Sequence, residues 1–330
     1  MFDHPLLIAG FAIVVVIMLI IDLGLFNKKS HTISNKEAIT WSIVWISLSM
    51  IFSGAVYYVL GFDKFTQFQS AYWIEKALSV DNLFVFILVF KFFDVANENK
   101  HKVLFWGIIG ALILRAIFIF SGAFFIELTY LNKILSLFGV AGFKYDINII
   151  MTLFGLFLVY AGIKSWSADD DDEDEDYNNT RGARLVRKFF RVSDKYDGDK
   201  FFTIENGVKL ATPLLVVVAV IEFTDLLFAV DSIPAIFAIS KDPFILYTSN
   251  IFAILGLRAL FFLLDNFIHL FSKLKYGLAI ILSFIGIKMI IAPFFHIDSV
   301  YSLIVIGGVL ILSVILSIMF PEKEEEKVTE

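Results

Sequence analysis

The chain has 330 residues, of which 58% are hydrophobic and 18% charged, and its formal net charge is −6. A soluble domain is usually about 45–50% apolar and about 25% charged, so this composition predicts a membrane protein with several spans. The chain has no cysteine, which excludes disulfides, iron–sulfur clusters and thiolate metal sites within it. Since the motifs GxxxxGK[ST], HExxH and GxSxG are all absent, the sequence does not indicate an enzyme or a nucleotide-driven pump.

Nine apolar segments follow one another along the chain, each close to the length of about 20 residues that crosses a bilayer as a helix. They cover approximately residues 5–26, 38–60, 70–93, 103–126, 147–165, 210–238, 244–265, 276–293 and 300–320. The first segment lacks a basic leader and a cleavage site, so we expect a retained helix. Between the fourth and fifth segments, residues 128–146 are expected to form either a short interfacial or re-entrant helix or an amphipathic connector.

Lysine and arginine are distributed unevenly over the loops. If the amino terminus is outside, the inner loops and tail hold 17 of these residues and the outer loops hold 4. The positive-inside rule therefore predicts a cytoplasmic carboxyl terminus. The long inner loop, 166–206, contains an acidic run at 169–176, which is expected to be a disordered linker or a cation-collecting or regulatory segment. The basic and aromatic stretch 181–202 is expected to form a helix or hairpin near anionic headgroups.

An internal repeat relates two parts of the chain. EKALSVDNLF at 75–84 aligns without gaps with DLLFAVDSIP at 225–234, and two further matches follow in the same order. The matched ionisable positions are Glu75 with Asp225, Asp81 with Asp231, Arg115 with Arg258, and Lys164 with Lys288. Each repeat has three segments, at about 70–165 and about 210–293, so the second enters the membrane in the opposite sense. An inverted repeat is typical of secondary transporters.

Together these features predict an all-α polytopic fold of about nine transmembrane helices. Residues 1–330 form a single transmembrane domain in which the two repeats are flanked by peripheral spans at 5–60 and 300–320. The partners expected from the residues are a metal ion and the lipid bilayer, and no nucleic acid or permanent cofactor is expected.

Acidic residues occur repeatedly inside the apolar segments or at their edges: Asp22, Glu75, Asp81, Glu222, Asp225, Asp231 and Asp265. An ionisable group near the centre of a bilayer costs about 2.5–3.5 kcal/mol, so these acids are expected to face each other, a cation or a base. Internal ion pairing with Arg115 and Arg258 is one interpretation. Segments three and six contain five acids, however, against the three bases Lys76, Arg115 and Arg258, and this excess favours a cation site.

The candidate metal ligands are polar residues of segments three and six: Asp81, Asp231, Glu75, Asp225, Glu222 and Asn82. The supporting charge partners are Arg115, Arg258, Asp22 and Lys76. Glu75 and Asp81 would lie about 120° apart on an ideal helix, so sharing one ion requires a kink or unwinding. Pro234 either frees a carbonyl for this purpose or is a tolerated kink. An oxygen-only ligand set suits Mn²⁺, Mg²⁺ or Ca²⁺ and does not separate them.

The stretches EKALSVDNLFVF, LRAIFIFSG and TSNIFAILGLRALFFLL resemble the TerC family of integral membrane proteins, most closely its Alx-type branch. The resemblance extends from residue 5 to about residue 320. It implies a manganese exporter of the LysE-like transporter superfamily in a bacterial inner membrane, with the family's acidic motifs at the candidate ligands named above. The alternatives are a tellurite or other oxyanion carrier, a membrane partner that metallates secreted proteins, and a Ca²⁺/H⁺ exchanger.

Overall fold

A computed structural model describes residues 5–26, 35–138, 142, 144–167, 177–205, 207–266, 273–295 and 297–320. Most of these residues are helical. The helices are α1 (Pro5–Phe26), α2 (Asn35–Leu60), α3 (Phe62–Phe92), α4 (Asn97–Leu128), α5 (Leu131–Leu137), α6 (Ile149–Ser167), α7 (Arg181–Phe189), α8 (Pro213–Phe237), α9 (Pro243–Leu255), α10 (Leu257–Asn266), α11 (Leu274–Ile291) and α12 (Ser299–Met319). Strands β1 (Phe202–Glu205) and β2 (Val208–Ala211) form one antiparallel hairpin.

The prediction of a helical membrane protein with several spans is confirmed. Among the described residues, six helices are long and apolar enough to cross a membrane, and a seventh span results if α9 and α10, which meet at a bend of 42°, are counted together. Each of the nine apolar segments coincides with a helix or, for the seventh, with this bent pair. The number of nine spans and the inverted arrangement stay predictions.

Two local features differ from the sequence prediction. Helix α3 begins at Phe62 and not near residue 70, because Gly61 adopts a left-handed φ of 87° that turns the chain directly from α2 into α3. The fold is also not purely helical, since the hairpin precedes α8. Its two strands have four residues each, which is too short for a clear alternating pattern.

The connecting segments largely follow the predictions. A short helix, α5, occupies part of residues 128–146. The basic stretch forms α7 and then leads into the hairpin, so it contains a helix and the start of a hairpin. The acidic run 169–176 lies outside the described residues.

The helices that carry the predicted site lie inside the bundle. Helix α3 packs against α8 and α9, α4 packs against the same two helices, and α6 packs along α11. Phe52 of α2 and Phe252 of α9, with ring centroids 4.8 Å apart, belong to an aromatic cluster that packs beside these helices. By contrast, α12 exposes large apolar side chains such as Ile304 and Ile311, as expected for a helix that faces lipid.

Candidate ion-binding site

A buried ion network lies at the centre of the bundle. Glu75 is near the middle of α3, Arg115 lies within α4, and both are 0% exposed. The Arg115 guanidinium forms an ion pair with Glu75, and its Nη2 lies 3.6 Å from Oδ1 of Asp225, at the middle of α8. One guanidinium therefore faces two carboxylates, one from each predicted repeat.

Asn250 of α9 connects the two members of the ion pair. Its Oδ1 accepts a hydrogen bond from Arg115 Nη1 at 2.9 Å, and its Nδ2 donates to Glu75 Oε2 at 2.9 Å. Ser79, one turn after Glu75, donates to Glu75 Oε1 at 3.1 Å. Asn250 was not among the residues predicted for the site. The sequence signal that could have found it is an amide inside the apolar segment 244–265, because such a group needs hydrogen-bond partners once it is buried.

Asp225 is less completely satisfied than Glu75. Its Oδ2 is buried and has no hydrogen-bond partner among the described residues, and the same holds for Oγ of Ser232 on the same helix. A cavity of about 20 Å³ adjoins Asp225 and Arg258, with further walls from α3, α4 and α9. Apart from Asp225 and Arg258, the residues that line this space are apolar. The unpartnered oxygen of Asp225, and not the cavity itself, is therefore the feature suited to a cation.

Lys76 is held by a helix end. It is buried in α3, and its Nζ donates to the carbonyl of Ala253, in the last turn of α9, at 3.2 Å. A Cβ at Gly256, where α9 gives way to α10, would lie 2.8 Å from the same ammonium. Since the carboxyl end of a helix carries a partial negative charge, Lys76 stabilises the break between α9 and α10.

Glu222 faces α4 on the side of α8 that also bears Asp225. Its carboxylate lies directly against Gly110, where a Cβ would overlap both carboxylate oxygens. A side chain at position 110 would therefore have to displace the Glu222 carboxylate. The backbones of α3 and α8 are helical throughout, including Pro234, so the unwinding considered from the sequence is not seen in these described helices.

The structure describes the positions of some of the remaining predicted site residues and not of others. Asn82 is buried in α3, and Arg258 is buried beside the cavity. Asp265 lies at the end of α10 and pairs with Lys100 at 3.2 Å, away from the central network. The side chains that lie outside the described residues are those of Asp22, Asp81 and Asp231. Among the side chains that are described, no group of three or more His, Asp or Glu could hold a metal, so the full ligand set stays a prediction.

The fold and this network define an integral membrane protein that buries ionisable groups between apolar helices. Residues 60–325 match the model of the integral membrane protein TerC family, and the chain belongs to that family. The resemblance inferred from the motifs is thereby confirmed.

Similar proteins cover nearly the whole chain. An uncharacterised membrane protein of Myxococcus xanthus is 43% identical over 96% of this chain and 92% of its own length. A protein of Escherichia coli K12, provisionally named membrane-bound redox modulator Alx, is 41% identical over 95% of this chain and 94% of its own. A membrane protein of Rickettsia bellii is 37% identical over 94% and 96%. No solved structure matches the chain.

Proposed function

We propose that this protein is a secondary transporter that exports a divalent cation, Mn²⁺, from the cytoplasm through a carboxylate site between two inverted repeats. The proposal includes nine spans, a bacterial inner membrane, an outer amino terminus and a cytoplasmic carboxyl terminus. The observation that carries it is the sharing of Arg115 by Glu75 and Asp225, two acids that occupy equivalent positions in the repeats. Within the described part of the chain, Oδ2 of Asp225 has no hydrogen-bond partner.

The charge of the central helices supports a divalent cargo. Helices α3 and α8 contribute five acids at or near their middle, while Lys76, Arg115 and Arg258 are the bases, which leaves a formal charge of −2. One divalent cation neutralises this charge, and an uncompensated buried charge is strongly unfavourable. The donors are all oxygen, as hard cations require. Mn²⁺ is chosen over Mg²⁺ and Ca²⁺ because of the family resemblance.

Contacts between α6 and α11 support the inverted repeat. A Cβ at Gly162 would lie 2.7 Å from the carbonyl oxygen of Ala279, and a Cβ at Gly286 would lie 2.6 Å from that of Gly155. The offset of 124 positions that relates Gly162 to Gly286 also relates Gly155 to Ala279, so the two contacts are counterparts of each other. In the first contact the glycine belongs to α6 and the carbonyl to α11, and in the second contact these roles are exchanged. This exchange is expected for antiparallel helices related by a twofold axis perpendicular to both.

Packing of the remaining repeat helices has the same symmetry. Helix α3 packs against α9, and its repeat counterpart α8 packs against α4, the counterpart of the α9–α10 pair. Each repeat therefore places its first helix against the second helix of the other. This arrangement puts the ion network where the two repeats meet, which is where inverted-repeat transporters bind their cargo.

The alternative functions have weaker support. The Escherichia coli relative is named as a redox modulator, but this chain has no cysteine with which to exchange electrons through a dithiol. An oxyanion carrier would need a cationic site, whereas the central helices have more acids than bases. A protein that only metallates secreted partners would not move the metal into vesicles by itself.

Transport by the purified protein in vesicles tests the proposal. A manganese-sensitive dye inside the vesicles should report uptake by the wild type, and both Asp225→Asn and Glu75→Gln should reduce the initial rate at least about tenfold, because a shift of 1.4 kcal/mol in binding already has that effect. Asp63→Asn is the matched control, since Asp63 lies exposed at the start of the same helix as Glu75. Wild-type rates in the two site variants would refute the proposed site.

Two further measurements separate the alternatives. In cells that depend on this protein, Asp81→Asn and Asp231→Asn should raise intracellular manganese and lower manganese tolerance. Arg115→Ala should abolish function while both aspartate variants stay active if the cargo is an anion. Because the chain has no nucleotide-binding motif, the proposed driving force is an ion gradient or the membrane potential. Coupled proton entry is part of the proposal, and manganese flux that ignores an imposed pH gradient would contradict it.

A further inference from the structure

A cleft of about 710 Å³ lies away from the ion network, between the end of α3, helix α7 and the start of α8. Two arginines, Arg187 and Arg191, line it together with aromatic side chains, among them Phe93 and Phe190. One acid, Asp194, also lies on its wall. The cleft therefore combines a cationic surface with an apolar one.

Helix α7 packs against the first turns of α8, which is a candidate membrane span. Its buried face, which includes Gly182 and Val186, packs against α8, and a Cβ at Gly182 would overlap the carbonyl oxygen of Ala219. Ala219 is six residues beyond Pro213, so this contact lies about 9 Å along α8 from its first residue. The first turns of a bilayer-spanning helix cross the headgroup region.

The outer face of α7 has the composition of an interfacial helix. Residues 177–193 contain five basic residues and no acid. Among the basic side chains are large apolar ones that stay exposed, with Leu185 at 59% and Phe189 at 69%. A short helix with basic and exposed apolar side chains beside a membrane span is suited to the boundary between headgroups and acyl chains.

The walls of the cleft are fixed in place. The hydroxyl of Tyr196 donates to the carbonyl of Phe93 at 2.6 Å, and Asn99 Nδ2 donates to the carbonyl of Gly198 at 3.0 Å, which ties the loop to the turn between α3 and α4. Burial raises the pKa of Tyr196 to about 12, so the hydroxyl keeps its proton near neutral pH. Arg187 donates to Asn178 Oδ1 at 2.8 Å, which orients its guanidinium. A ligand therefore meets a preformed site.

We propose that this cleft binds the phosphate headgroup of an anionic phospholipid, with Arg187 and Arg191 on the phosphate and the acyl chains against Phe92 and Phe190. Guanidinium groups form strong charge-assisted hydrogen bonds to phosphate oxygens. Phe92 and Phe190 line the same cleft as the arginines and are 42% and 46% exposed, which favours a lipid over a soluble phosphate because acyl chains can cover them. The site holds the basic loop to the membrane next to α8, the helix that carries Asp225.

Native mass spectrometry of the full-length protein in a neutral detergent tests this proposal, with phosphatidylglycerol and phosphatidylcholine as probes. The double variant Arg187→Gln/Arg191→Gln should bind phosphatidylglycerol about 30-fold more weakly, since each basic residue near an anionic lipid surface contributes about 1 kcal/mol. Lys273→Gln/Lys275→Gln removes two positive charges elsewhere and should bind as the wild type does. Arg187→Lys/Arg191→Lys, which keeps the charge without the planar fork, should fall between the two.

Each other result would overturn the proposal. Equal binding of phosphatidylcholine, equal loss in the lysine control, or unchanged binding in the arginine double variant would show that no specific headgroup site exists. Glycerol phosphate that binds as tightly as the lipid would identify a soluble phosphate as the ligand. If phosphatidylglycerol binds only after deletion of residues 169–176, the acidic run itself is the occupant. Circular dichroism of each variant ensures that the compared proteins are folded, and both arginines are exposed enough to be replaced without loss of the fold.

Discussion

Replacement of Arg115 by methionine tests whether the central network is governed by charge. The guanidinium is the cation that Glu75 and Asp225 share, and these two carboxylates are 0% and 5% exposed. Bulk water has little access to such positions and compensates poorly for the lost partner. Breaking a buried ion pair by removing one member costs about 3–5 kcal/mol, so Arg115→Met should lower the free energy of unfolding by that amount.

A second replacement in the same chain separates charge from packing. Glu75→Gln added to Arg115→Met removes one uncompensated carboxylate and keeps one acceptor oxygen for a hydrogen bond donated by Asn250 or Ser79. The double variant should be about 2 kcal/mol more stable than Arg115→Met alone, because an unsatisfied buried charge is removed. If packing of the long side chain dominated, the double variant would be at least as unstable as the single one.

Denaturant unfolding in detergent measures these differences, and added Mn²⁺ connects them with the proposed cargo. Mn²⁺ should stabilise Arg115→Met more than the wild type, since two carboxylates are then without their cation. Lys64→Met is the control: it breaks the Lys64–Asp242 pair of 2.7 Å, whose side chains are about one third exposed, and should cost at most about 1 kcal/mol. The reasoning is wrong if Arg115→Met is no less stable than this control.

Two further predictions concern glycines at helix seams. Gly110→Ala should displace the Glu222 carboxylate and lower manganese transport about tenfold, whereas Gly54→Ala, where a Cβ meets no atom within 4 Å, should leave the vesicle assay unchanged. Equal transport rates in these two variants would contradict a role for the contact between α4 and Glu222 of α8. Gly162→Val and Gly286→Val should each destabilise the protein by about 1–3 kcal/mol through overpacking of α6 on α11. Because the two positions are counterparts, their losses in thermal or denaturant unfolding should agree within about 1 kcal/mol, and a large difference would count against the repeat.

The amino-acid sequence alone determined which segments form the long helices and which of these helices contain ionisable residues. An apolar run of about 20 residues predicts a helix because the bilayer forces every backbone group to bond within its own segment. The same local patterns located the acids of α3 and α8 and predicted the repeat in which Glu75 corresponds to Asp225. The residue pattern did not locate the strands of the hairpin, because each has only four residues. It also did not locate the start of α3, because the positive φ of Gly61 sets that boundary.

Only the tertiary structure decided which charged groups meet. The sequence gives the number of acids and bases. It does not show that Arg115 faces two acids at once, that Asn250 connects it to Glu75, or that Lys76 contacts the end of α9. These contacts depend on the rotation and depth of each helix against its neighbours. Such offsets arise from packing between helices far apart in the chain, and the periodicity of a single helix carries no record of them.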